Sequence, residues 1–196
     1  MGAVAMSRDD EAIAGRSTRT SANVALVERA QAGDRRAFAA LYRAHGRMVH
    51  GLLLTRLPRA ELRDAMQDVF LAALAKLDSL RDPARFGAWL AAIARNRARD
   101  WSKRHGRTRE HSWEPQAVDE HEPARVTGPG MVESLALLAQ LRGLPEAQRE
   151  LLILRFVEGL SGPEIAEVLG MTPGSVRVKL HRSLELLRRQ SGGERR

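Results

Sequence analysis

Apolar residues recur along this chain at three- and four-residue intervals, the spacing that lines one face of an α-helix. In Asn23–Ala32 the stripe is Val24, Val27 and Ala30, and Gly33 is placed to end that helix in the left-handed conformation. Asp34 is a good N-cap for a helix carrying Phe38, Leu41 and Tyr42. The pattern continues over Arg47–Leu57 through Val49, Leu52 and Leu53 until Pro58 breaks it. Arg59–Leu80 then reads as one long amphipathic helix, with Leu62, Met66, Val69, Phe70, Ala73, Leu74 and Leu77 inward. Asp82 caps the next helix with Pro83 at its first position, and Phe86, Trp89, Leu90 and Ile93 form its inner stripe.

From His105 to Gly130 the periodicity fails. Pro115, Pro123 and Pro129, with Gly128 and Gly130, mark a flexible linker instead. Helical spacing resumes near Met131 with Leu135, Leu138 and Leu141, followed by a helix over Pro145–Glu158 and two shorter ones. The fold class expected is therefore all-α: two small helical domains, 21–106 and 131–190, joined by a linker over 107–130. The segments 1–20 and 191–196 read as tails. Ala, Leu, Arg and Glu dominate, aromatics are only 4%, and β-branched runs are scarce, so composition agrees with helices.

Composition narrows the function classes. With no cysteine, disulfide frameworks and thiolate metal sites are excluded, and a reducing cytoplasm suits the chain. No run reaches the roughly 18 apolar residues of a membrane span, and residues 1–19, with Asp9, Asp10 and Glu11, have no apolar core of a secretory signal. Neither membrane insertion nor a cofactor is expected. His105, His111 and His121 have no metal-ligand spacing and read as solvated linker residues, so no metal is assigned.

The net charge of +8 is unevenly spread. Arg81–Arg109 carries nine Lys/Arg against two acids, and Met171–Arg196 seven against two. Between them, Glu110–Ser134 has one Arg against six acids. Two basic islands separated by an acidic stretch suggest two contacts with a polyanion; two solvated helix faces are the alternative.

The sharpest local signal lies near the C-terminus. Ser161 caps a helix and Glu164 completes a capping box, Ile165, Ala166 and Leu169 face inward, and Gly170 suits a left-handed turn. Thr172 and Pro173 then start a second helix, giving a helix-turn-helix. At 100° per residue, Val176, Leu180, Leu184 and Leu187 share a narrow buried stripe. Arg177, Val178, His181 and Arg182 point away from it, where a recognition helix meets base edges. Arg177 and Arg182 suit guanine or phosphate, Val178 suits a thymine methyl, and Lys179 at the flank suits backbone. A basic helix packing on another subunit is the rival reading.

This second half resembles region 4 of sigma factors of the extracytoplasmic-function group. The likeness is carried by Leu144-Pro145, Leu160-Ser161, Glu164-Ile165-Ala166, Leu169-Gly170, Gly174-Ser175-Val176 and Leu180-His181-Arg182. The first half is similar to the same family's region 2. Gly33-Asp34, Ala37-Phe38 and Leu41-Tyr42 match region 2.1, and the stretch Asp64 to Leu71 matches region 2.2. Phe86 to Asn96, with Asp100 and Arg104, matches region 2.4.

The resemblance implies a specificity subunit, not an enzyme, with core RNA polymerase and promoter DNA as partners. It implies that Asp64, Gln67 and Asp68 dock on the clamp coiled coil of the largest polymerase subunit, and that the C-terminal domain sits on the flap. It further implies that Asn96 and the loop Ser79–Arg85, with Arg81 and Arg85, capture a base flipped from the −10 element; a structural role for Asn96 is the rival. The helix-turn-helix then takes the −35 element, and an anti-sigma protein is the implied regulator. From helical projection, Arg95, Arg99 and Lys103 lie on the open face and suit phosphates. Arg97, Asp100 and Arg104 fall beneath Phe86, Trp89 and Ile93 as a supporting ion-pair set. Two rivals are a stand-alone DNA-binding regulator using only the second half, and a nucleic-acid-processing enzyme with a basic groove. The Asp64–Leu71 motif argues against the first; no nucleophile or metal-ligand cluster supports the second.

Overall fold

The computed structural model describes residues 21–104 and 144–193, with side chains described through residue 189. All regular structure among these residues is helical. The tails, the linker, Trp113, the three linker histidines and the Leu135–Leu141 pattern lie outside the described residues.

In the first half, α1 (residues 21–31) precedes α2 (Arg35–Leu54), α3 (Arg59–Ala75) and α4 (Phe86–Arg104). Gly33 takes φ +89°, a left-handed value that allows the sharp turn out of α1. Asp34 then accepts hydrogen bonds from the Arg36 and Ala37 amides, satisfying two of the free donors at the start of α2. The two stretches read separately on either side of Arg47 are one unbroken helix. Helices α2, α3 and α4 pack on one another in a three-helix bundle. Leu41, Leu52, Leu53, Phe70, Phe86 and Leu90 are buried at its centre. Truncating a buried side chain as large as Phe86 costs about 3–5 kcal/mol.

Helix α3 is shorter than its periodicity suggests. It ends at Ala75, and Leu77–Ser79 is a 3-10 turn. Gln31 in α1 fixes that turn, its amide donating to the carbonyls of Leu77 (3.0 Å) and Leu80 (2.9 Å). Leu74 does not face inward but is 49% exposed, beside Leu71 at 55%. With Tyr42 and Gln67 they border a shallow groove floored by Phe38 and Phe70.

In the second half, α5 (Glu146–Leu152) runs into one π-helical stretch, Ile153–Val157, followed by α6 (Gly162–Leu169) and α7 (Pro173–Gly193). The π turn inserts an extra residue per turn, which rotates the chain beyond it relative to α5. The Ser161–Glu164 capping box is fully formed, and Gly170 takes φ +67° between α6 and α7. Thr172 caps α7 through the Ser175 amide (3.2 Å).

The two halves are not apart. Helix α6 packs on α4, and the π stretch packs on α2. The buried apolar residues form one contiguous cluster running from Val27 to Val176.

Candidate nucleic-acid interface

Along α7 the inner stripe is as projected, with Val176 fully buried and Leu180, Leu184 and Leu187 half-buried. Ser183 is also buried, its hydroxyl donating to the Lys179 carbonyl within the helix. Arg177, Val178, Lys179, His181 and Arg182 all stand exposed, outside that stripe. Val178 at 50% exposure is the odd member, since an apolar side chain gains nothing from water. His181 lies 3.4 Å from Glu185, one turn on.

The basic island that begins at Arg81 divides into groups the projection did not separate. Asn96, Arg99 and Lys103 are exposed on α4, and Arg81 is exposed in the loop before it. Arg95 is not on an open face. Its guanidinium is 12% exposed, pairs with Glu150 of α5, itself 7% exposed, and donates to the Val168 carbonyl of α6 (3.1 Å). Arg85 pairs with Glu167 of α6. Projection missed the Arg95 contacts because it places side chains on one helix and is blind to a second domain lying over it; Arg85, assigned through the family resemblance, meets that same domain.

The expected Arg97–Asp100–Arg104 set is also corrected. Arg97 reaches across to Asp68 on α3. Lys103 lies 4.0 Å from Asp100, and Arg104 hydrogen-bonds the Asp100 carbonyl. Asp64, Gln67 and Asp68 are exposed together on α3, next to the Leu71–Leu74 groove, with Asp68 held by Arg97. The loop from Ser79 to Arg85 is anchored at one end by Gln31 and at the other by Asp82, which caps Ala84 (3.0 Å). Gln31 is thus a positioning residue that helical periodicity does not single out; a polar residue at the end of an apolar stripe was its only signal. Among the described residues no cluster of potential metal ligands occurs, and no helix is long and apolar enough to cross a membrane.

Comparison with known proteins decides the family. The model of sigma-70 region 2 matches residues 41–108, and that of sigma-70 region 4 matches residues 134–187. This chain belongs to the sigma-70 family, in its extracytoplasmic-function (ECF) group. The ECF sigma factor ShbA of Streptomyces griseus is 37% identical over 200 aligned positions, covering 92% of this chain and 97% of that protein. The ECF sigma-E factor of Escherichia coli is 32% identical, covering 83% and 90%. BldN of Streptomyces coelicolor is 36% identical over 84% of this chain, which spans only 64% of BldN's length. Among solved structures, CnrH in complex with the cytosolic domain of CnrY superposes with a TM-score of 0.60 at 27% identity, covering 88% of this sigma factor and 98% of CnrH. The exposed sets on α3 and α4 therefore lie within sigma-70 region 2, and that on α7 within region 4.

Proposed function

We propose that this sigma factor binds core RNA polymerase and directs it to promoters, with its two basic helix faces reading two separate DNA elements. Region 2 docks through Asp64, Gln67 and Asp68 on the clamp coiled coil of the largest polymerase subunit, with the apolar groove beside them. The acids meet a basic partner, while Leu71 and Leu74 lose water on contact. Asn96, with the loop carrying Arg81 and Arg85, captures the base flipped from the −10 element. Extraction costs a few kcal/mol, which an amide reading the base edge offsets. Arg99 and Lys103 hold phosphates. Region 4 docks on the flap and places Arg177, Val178, His181 and Arg182 against the −35 element, with Lys179 on the backbone. An anti-sigma protein that covers the docking faces is the regulator consistent with this family. No residue is assigned to catalysis.

The observation that carries this reading is the pairing of an exposed acidic and apolar docking face on α3 with two exposed basic helix faces on different helical units. Run-off transcription with purified core polymerase and a promoter library tests it: specific initiation is expected only when this chain is added. Asp68→Arg should weaken holoenzyme assembly by about tenfold or more, equivalent to ~1.4 kcal/mol, because it repels both the clamp and Arg97. Unchanged affinity would remove Asp68 from the docking face. Failure of the wild-type chain to form a holoenzyme would overturn the function.

A further inference from the structure

We infer that the outer face of α2 is a third DNA contact, an arginine stripe that grips the phosphates of duplex promoter DNA flanking the −10 element. The inference goes beyond the function proposed above but rests on it. Helix α2 holds four arginines and no acid. At 100° per residue, Arg36, Arg43 and Arg47 fall within about 40° of one another, on the side away from the buried Leu41, Met48 and Leu52. All three are exposed, as are Ala39 and Ala44 beside them. The helical rise puts Arg43 about 10 Å beyond Arg36 along the axis, and Arg47 about 6 Å further.

The stripe is set apart from the other arginines of this helical unit. Arg29, Arg56, Arg85, Arg95 and Arg97 each meet a carboxylate. The side chains of Arg36, Arg43 and Arg47 have no ion pair or hydrogen bond among the described residues. Arg43 and Arg47 stand one turn apart, where like charges repel and weaken a helix. An anionic partner relieves that repulsion.

Duplex DNA fits that partner best. Protein interfaces centre on large apolar or aromatic anchors, whereas only alanines lie between these arginines; the exposed Tyr42 sits about 100° round the helix, at the groove shared with α3. Single strands are held on aromatic platforms where bases stack, and no Phe, Tyr or Trp lies in the stripe. A rigid helix with charges fixed over about 16 Å suits a rigid duplex, each strand of which presents a phosphate every ~3.4 Å of axis. The alanines keep the surface low between the arginine stems, so a phosphate backbone can approach closely. Helix α2 carries no Asn or Gln to read a base edge. The contact therefore positions DNA without reading its sequence.

The test uses the holoenzyme and a promoter with duplex on both sides of the −10 element. Arg36→Gln/Arg43→Gln/Arg47→Gln should melt like the wild type and assemble equally well with core polymerase. Its plot of log promoter affinity against log salt should be flatter by about 2–3, since each phosphate contact contributes about 0.9 to the slope. The change should be alike on promoters that differ in flanking sequence. Arg36→Lys/Arg43→Lys/Arg47→Lys should keep the wild-type slope. If the triple variant folds poorly, Arg43→Gln alone should flatten the slope by about 1. A wild-type slope in a folded Gln variant overturns the inference. So does weakened core binding with the slope intact, which would make the stripe a seat for an acidic protein. A flattening that persists when the probe is trimmed to the single-stranded −10 segment overturns it too, because the duplex is then not the ligand. Failure of the wild-type chain to form a holoenzyme would instead sink the function, whatever the stripe does.

Discussion

Asn96 stands in water on α4 although its neighbours Ala94 and Ala98 are buried. A polar side chain in that setting does no packing, so its removal should leave the fold intact. We expect Asn96→Ala to change stability by no more than about 0.5 kcal/mol, yet to reduce open-complex formation on a duplex promoter. On a template already unpaired at the −10 element the loss should shrink, because unstacking no longer has to be offset. Permanganate footprinting on the two templates separates the cases. Wild-type activity of Asn96→Ala on both templates would take Asn96 out of base capture. At the same scale, Arg95 shows that a charged residue's chemistry depends on what lies over it: the projection that placed it on an open face among phosphate contacts could not see Glu150 lying across it.

At the scale of elements, the caps decide where helices begin, and two of them can be measured. Ser161 and Glu164 satisfy each other's backbone donors at the start of α6, the helix that sets α7. Ser161→Ala should cost about 1 kcal/mol, lowering the melting temperature by ~2–4 °C for a protein of this size. A wild-type melting curve for that variant would mean the box is made equally well by water. Asp34 caps α2, and the hydrogen bond from Arg29, helped by the Ala37 amide, holds its carboxyl below the usual 3.8. A depressed folded pKa gives stability that is present above 3.8 and fades as pH falls through the lower folded value. The gap in melting temperature between wild type and Asp34→Ala should therefore be flat from neutrality down to about pH 5 and narrow only below 3.8. A gap already closing near pH 6 would assign it to another group. These caps were legible in the sequence because capping is a local rule, as were the helix-turn-helix and the inner stripe of α7. The end of α3 was not. Its apolar spacing runs on to Leu77, but the tie from Gln31, 46 positions earlier, closes the segment into a 3-10 turn. The exposure of Leu71 and Leu74 was equally hidden, since periodicity cannot tell a core stripe from one kept for a partner.

At the scale of the whole molecule, periodicity yielded two helical units but not their mutual packing, which depends on pairs such as His45–Glu158 that lie 113 positions apart. Each unit offers DNA a small face: a few side chains on α4 and its loop, a few on α7. Tight specific binding typically buries about 1,000 Å² or more of protein surface, more than a few side chains on one helix offer. Affinity must come from joint engagement, with polymerase holding the regions at a fixed spacing so that the second contact becomes intramolecular. That makes a geometric demand on the promoter. B-form DNA turns once in about 10–10.5 base pairs, so adding about five between the two elements rotates one of them to the opposite side of the duplex. On a promoter selected by run-off transcription, such an insertion should lower holoenzyme affinity as far as deleting the −35 element does. An insertion of one full turn should also fail, because polymerase fixes the distance as well as the phase. Were the regions free to bind independently, occupancy would survive both insertions, and footprints would show two protected segments moving apart with the added DNA.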